Sequence, residues 1–218
     1  MKKRTSAKRT RGRELQYSIL VFAVLVVVFG FIYPMFTEKN RLEGVEVLAM
    51  VAEGSDHMEY TGVKSFLEGE GATVTTASFE TGTVVGHGGR FRAEITFDQV
   101  DASHYDVFLI PGGDGPHNMI YHEKNQLVYD ILIQADEEGK LLAAICHGPW
   151  VLAAADLVDG CSVTCYPMDD VMIHFITDAG GSVNADKVVV RDGRIITGNG
   201  PDAVTPFSRE ILEALLDR

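Results

Sequence analysis

The stretch Ala143-Ala144-Ile145-Cys146-His147-Gly148-Pro149 holds the residues best suited to chemistry in this chain. An apolar run reads as a buried strand, one nucleophile follows it, and small residues flank that nucleophile. Ala144-x-Cys146-x-Gly148 has the pattern of a nucleophile elbow with sulfur in place of oxygen, because only small neighbours fit where a strand turns sharply into a helix. An elbow of this kind lifts its side chain to the carboxyl edge of a sheet, where α/β folds bind ligands. The following helix N-terminus offers free amides and a partial positive charge, and both favour a thiolate. A cysteine with only a packing role is the alternative.

Three further groups could serve that sulfur. His147 is its neighbour in sequence, and although residues i and i+1 do not share a face of a helix, a sharp elbow can bring them into a dyad. A packing role is the other reading of its ring, while its backbone amide is a candidate oxyanion donor in either case. Gly112-Gly113 closes an apolar run, Tyr105 to Ile110, and would let the Gly113 amide approach a bound oxygen, or would simply make a turn. Glu59 opens the first helix, where a carboxyl group can take up a proton or accept one in a hydrogen bond. Asp56 is equally well placed by sequence, and a helix N-cap is its ordinary explanation.

The elements that must position these groups alternate. Val45 to Val51 reads as a first strand, Met58 to Glu70 as a helix stopped by Gly71, and Ala72 to Phe79 as a second strand. Glycines 82, 86, 88 and 89 punctuate a hairpin excursion across residues 81–97. Further strands are expected at Tyr105 to Ile110, Leu141 to Ile145 and Ser162 to Cys165. Helices are expected at Lys124 to Glu138, Val151 to Leu157, Asp169 to Asp178 and Ala203 to Leu216. Lys187–Val190 and Arg194–Thr197 flank Asp192-Gly193 as a hairpin. This alternation predicts a doubly wound, mostly parallel α/β sheet with helices on both faces.

Charge and hydropathy divide the chain. Seven of the 19 Lys and Arg and one of the 31 acidic residues precede an apolar stretch from Tyr17 to Phe36, which leaves 12 basic against 30 acidic residues and a formal charge of −18 on the rest. Such a surface repels nucleic acid, so none is expected as a partner. Twenty helical residues rise about 30 Å, the thickness of a bilayer core. The expected organisation is a basic cytoplasmic segment at 1–14, a single transmembrane helix at 15–36, a linker at 37–43 and a domain at 44–218. The basic flank would keep the N-terminus in the cytoplasm and place the domain outside. Cys161 and Cys165, four apart near or in a strand, would sit too far apart for easy bridging and read as free thiols. No Cys/His spacing indicates a zinc site.

Several segments together resemble the DJ-1/PfpI superfamily, most nearly its PfpI-like branch. They are Ala77-Ser78-Phe79-Glu80, Ile110-Pro111-Gly112-Gly113, Ala144 to Pro149, Cys165-Tyr166-Pro167 with Asp169-Asp170, and Val188 to Gly193. The resemblance runs from Gly44 to Leu216 and implies a flavodoxin-like (class I glutamine amidotransferase-like) fold. It implies Cys146 as nucleophile, Glu59 as the helix-borne glutamate beside the thiol, the Gly113 and His147 amides as oxyanion donors, and Tyr166 as a pocket residue. Asp56 matches a further acidic position. PfpI-like proteases are thought to complete a Cys-His-Glu triad with a glutamate from a neighbouring subunit, placed just after the proline that Pro116 matches. This chain has His117 there, and a histidine lacks the permanent negative charge that orients an imidazole. Asp114 or Glu123 could substitute.

The resemblance thus implies a cysteine-dependent enzyme that needs neither metal nor organic cofactor. In a glyoxalase- or deglycase-like form it acts on a small α-oxoaldehyde or a glycated protein, and in a peptidase-like form on peptides. A redox or stress sensor oxidised at Cys146, or a membrane-tethered binding domain, are the alternatives. A homodimer or larger homo-oligomer is expected.

Overall fold

Strands buried on both faces form the centre of the molecule, and their sequences show why. β1 (Glu46–Met50), β6 (Val107–Ile110), β7 (Leu141–Ile145) and β11 (Ile195–Gly198) are almost wholly apolar, as strands covered by helices on either side must be. The computed structural model describes residues 40–217 and the single position Val26. A seven-stranded sheet runs in the order β10-β11-β7-β6-β1-β2-β5, where β2 is Thr73–Ser78, β5 is Ile95–Thr96 and β10 is Val189–Asp192. All neighbours pair in parallel except β10 with β11.

Alternate residues of β1 feed two cores. Val47, Ala49 and Val51 face α1 (His57–Gly69) and α6 (Val204–Leu216), together with Val63, Leu67, Phe207 and Ile211. Leu48 and Met50 face the opposite layer. That layer comprises α3 (Asn125–Glu137), α4 (Pro149–Ala154) and α5 (Asp170–Asp178), with Leu132, Trp150, Leu152 and Met172 among the buried side chains. Each fully buried apolar side chain of this size contributes about 1.5–3 kcal/mol, so the two-sided burial of the strands dominates the fold.

The sheet changes direction at β1, with β2 on one side and β6 on the other, and such a switch opens a crevice at the carboxyl ends of the strands. The hairpin of β3 (Gly82–Gly86) and β4 (Gly89–Ala93) clamps the turn that enters α1. Gly54 N–H donates to Val85 O at 2.8 Å, His87 N–H to Ser55 O at 2.9 Å and His57 N–H to His87 O at 3.0 Å. The expected strand at Ser162 to Cys165 is limited to β8 (Ser162–Val163), which pairs with β9 (Ser182–Val183) in a separate small sheet. A six-residue helix, α2 (Gly115–Ile120), is absent from the sequence reading because so short a segment shows no apolar period. All three cysteines are free thiols.

The membrane placement is corrected. Among the described residues no helix is long and apolar enough to cross a bilayer. The expected transmembrane helix at 15–36 and the basic segment at 1–14 lie outside the described residues, Val26 apart. The single-pass membrane location, with its domain outside, is therefore withdrawn, and the described residues form the α/β domain.

Candidate active site

β7 ends at Ile145, and the next residue adopts a backbone that its type rarely takes. Cys146 has φ +61°, a left-handed conformation that costs a residue other than glycine about 1–2 kcal/mol. Neighbouring strands and loops hold it there. Cys146 N–H donates to Gly198 O of β11 at 2.8 Å, and Tyr166 N–H donates to Cys146 O at 3.0 Å. The side chain is 6% exposed.

Glu59 reaches this sulfur from the first turn of α1. Asp56 starts that helix, its Oδ1 accepting from Met58 N at 2.9 Å and Glu59 N at 3.0 Å. The Glu59 side chain is fully buried; Oε2 accepts the Gly112 N–H at 2.7 Å, and Oε1 has no hydrogen-bond partner. Burial pushes the carboxyl from 4.5 up to about 7, against the Gly112 amide, which pulls it down; the Asp56 charge adds to the rise. The Cys146 thiol is also pushed far upward, first by burial and then by the Glu59 carboxylate, while the Gly113 and His147 amides pull it back. A thiolate favoured by the helix N-terminus is thus corrected. α4 is short, and desolvation beside a carboxyl group outweighs the Gly113 and His147 amides. The two acids compete for protons in one buried space.

Backbone shape lets the amides converge. Gly113 has φ +74°, and a Cβ on it would lie 2.4 Å from Gly54 O. Its amide and that of His147 both reach the sulfur.

On the other side of Cys146, the His147 ring is set between the thiol and a carboxylate. Its Nδ1 lies 3.2 Å from Cys146 Sγ, and its Nε2 lies 3.4 Å from Asp169 Oδ2. Asp169 also caps α5, with Oδ1 accepting from Met172 N at 3.0 Å. The Tyr166 ring packs beside His147 with centroids 5.1 Å apart. The sequence reading quoted Asp169 without giving it this role. A possible signal was an acid just after the Tyr166-Pro167 pair that returns the chain to the elbow.

Of the other acids and the histidine considered, Asp56 lies within electrostatic reach of Glu59 and touches His87 Nδ1 at 3.2 Å. Asp114 precedes α2, its side chain exposed and making no cap. His117 is exposed on α2 and packs against Tyr121 and Trp150, with centroids 4.5 and 5.8 Å away. Glu123 is exposed as well. The structure therefore brings Cys146, His147, Glu59, Gly113, Tyr166 and Asp56 to one edge of the sheet, and Asp114, His117 and Glu123 make no hydrogen bond or ion pair with His147. Among the described residues no group of His, Cys, Asp and Glu is arranged to hold a metal ion.

A doubly wound sheet with a strained cysteine elbow, and a buried glutamate against the sulfur, defines a class of α/β proteins. The family model described as the DJ-1/PfpI family matches residues 45–214. A protein of Pyrococcus horikoshii named Deglycase PH1704 is 33% identical over 173 residues, covering 78% of this chain and 99% of its own. Deglycase PfpI of Pyrococcus furiosus is 31% identical over 183 residues, 83% of this chain and 98% of its own. The crystal structure of Drosophila melanogaster DJ-1beta superposes with a TM-score of 0.71 at 32% identity, over 80% of this chain and 92% of that one. The chain belongs to the DJ-1/PfpI family.

Proposed function

We propose that this protein is a cofactor-independent enzyme in which Cys146 attacks the aldehyde carbon of a small α-oxoaldehyde, or the corresponding carbon of the adduct such a compound leaves on a protein, from which the C–N bond breaks and the protein amine departs with a proton. The observation that carries this reading is the fully buried Glu59 carboxyl, one oxygen held by Gly112 and the other unpartnered, beside the thiol. A proton shared between this carboxyl group and the thiol stabilises the thiolate when it sits on Glu59. The sulfur forms a bond to the aldehyde carbon, and the oxygen takes the proton, giving a hemithioacetal. The Gly113 and His147 amides receive the developing oxyanion. Glu59 as carboxylate removes the proton from that carbon and returns it to the adjacent one, so a hydroxyacyl thioester results. Water then cleaves the C–S bond, restoring the thiol and releasing a 2-hydroxy acid. Overall one water is added, and no external oxidant or reductant is required. The relatives named as deglycases support this substrate class, and so does a sulfur only 6% exposed, which admits a small carbonyl group.

A peptidase-like reaction is the second reading, and the His147–Asp169 contact favours it. A carboxylate from the same chain stands where the resemblance would take one from a neighbouring subunit. Self-association belongs to the same proposal, and Met58, 71% exposed beside Glu59, is an apolar side chain placed for it. The test is lactate release from methylglyoxal by the full chain against Cys146→Ala and Glu59→Gln. Turnover lost in both variants supports the glyoxalase- or deglycase-like reading. Turnover equal to the Cys146→Ala blank overturns it and leaves peptide hydrolysis as the reading to pursue.

A further inference from the structure

A half-open cavity of about 530 Å³ lies at the carboxyl edge of the sheet, and neither Cys146, His147 nor Glu59 lines it. Glu53 enters it from the turn after β1, Ser78 and Glu80 from the end of β2, and Tyr121 from the end of α2. Its aromatic wall is Phe79 stacked on His122, with centroids 3.5 Å apart and planes 12° from parallel.

Three features of this cavity point to a cationic ligand. First, Glu53 from the turn after β1 and Glu80 from the end of β2 line the same cavity. Among the described residues neither carboxylate has a hydrogen-bond or ion-pair partner, and no lysine or arginine lines the cavity. Two carboxylates lining one cavity favour a cation there over a neutral or anionic ligand. Second, Ser78 is 5% exposed, yet its hydroxyl has no partner and the residue lines the cavity. A buried hydroxyl open only to a cavity is a group awaiting a donor or acceptor. Third, Lys124 N–H donates to His122 Nδ1 at 3.1 Å, which fixes the ring against Phe79. The Phe79–His122 stack and the exposed Tyr121 ring offer π surface to a ligand in the cavity.

We propose that this cavity binds an alkylguanidinium group, the planar cation of an arginine side chain. A guanidinium forks onto carboxylates and stacks flat on aromatic rings, whereas an ammonium ion is a compact point charge with neither a planar fork nor a flat face. Ser78 Oγ accepts one of the remaining N–H groups. The inference is independent of the reaction at Cys146, since no residue is shared between the two sites.

Isothermal titration of the full chain with agmatine tests it, with N-butylurea as the planar, uncharged counterpart and 1,4-diaminobutane, expected to bind more weakly, as the counterpart in which an ammonium group replaces the guanidinium. Saturable binding of agmatine is expected at one site, with none for butylurea. The Glu53→Gln/Glu80→Gln double variant should bind at least about tenfold more weakly, the loss expected for charge-assisted hydrogen bonds. Ser78→Ala should weaken binding by a smaller factor. Thermal unfolding and the alkylation rate of Cys146 are measured on every variant, so that a folding defect is separated from a lost ligand site. A short peptide with a single arginine, titrated in parallel, distinguishes the sources. Tighter binding than agmatine assigns the site to polypeptide arginine, and equal or weaker binding assigns it to a free guanidinium compound. Absence of saturable agmatine binding, or binding that the double variant keeps, overturns the proposal.

Discussion

Asp169 touches two systems at once, and substitutions can separate them. Its Oδ1 accepts from Met172 N at 3.0 Å as the cap of α5, while its Oδ2 faces His147 Nε2 at 3.4 Å. Asn keeps an oxygen for the cap but removes the charge, and Ala removes both. Opposite charges at that distance attract by at most about 5 kcal/mol at an effective dielectric near 20. The two side chains are 23% and 28% exposed, so solvent screening reduces this to about 1–2 kcal/mol. If the carboxylate holds the imidazole for proton transfer, as the peptidase-like reading requires, Asp169→Asn lowers kcat/KM for peptide hydrolysis by about 5- to 30-fold. Its stability should stay within about 0.5 kcal/mol of wild type, because Asn is as good an N-cap as Asp. Asp169→Ala should show the same kinetic loss and, in addition, lose about 1 kcal/mol in urea unfolding. Wild-type kcat/KM in Asp169→Asn, with only Asp169→Ala unstable, would refute the catalytic role and leave a helix cap.

Three other perturbations follow from the same geometry. The Glu59 carboxyl rises from 4.5 to about 7, so the folded state holds a proton that the unfolded chain releases in that window. Its contribution is fully present below pH 4.5 and is lost as pH rises through 7, a decline of about 3 kcal/mol at about 1.4 kcal/mol per pH unit. Glu59→Gln should remove that decline in urea unfolding measured at pH 4.5 and pH 8, and an unchanged slope would count against the burial argument. Gly112→Ala puts a Cβ 2.5 Å from Cys146 Cβ and 2.7 Å from Glu59 Oε2, so turnover should fall at least about 100-fold while stability drops by about 1–3 kcal/mol. Tyr60→Phe removes a buried hydroxyl bonded to Thr76 Oγ1 at 2.7 Å and should cost about 1–2 kcal/mol in urea unfolding without changing kcat/KM.

How much the sequence disclosed depended on how local the cause was. β7 coincides with the expected Leu141 to Ile145, and β1 and α1 lie within a residue of the expected bounds at each end. An apolar run between glycines, or a 3.6-residue period, is written in neighbouring residues. The elbow was legible for the same reason, because one nucleophile between small residues is a local pattern. The His147–Asp169 contact was not, since it depends on where the loop after β8 returns. The direction of the Cys146 shift was misread for a similar reason. A helix N-terminus can be seen in the sequence, whereas the burial of Cys146 and the charge brought by Glu59 come from packing between β6, β7 and α1. The apolar stretch at Tyr17 to Phe36 was read from hydropathy alone, and among the described residues no membrane-spanning helix accompanies the domain.

The most direct test of the Cys146–Glu59 account is the pH dependence of Cys146 alkylation by iodoacetamide, followed by intact-protein mass spectrometry in wild type and Glu59→Gln. If the two acids share one proton, wild-type reactivity shows an inflection near pH 7, and that inflection vanishes when the carboxyl is replaced. An identical profile in Glu59→Gln would assign the titration to another group and contradict the account.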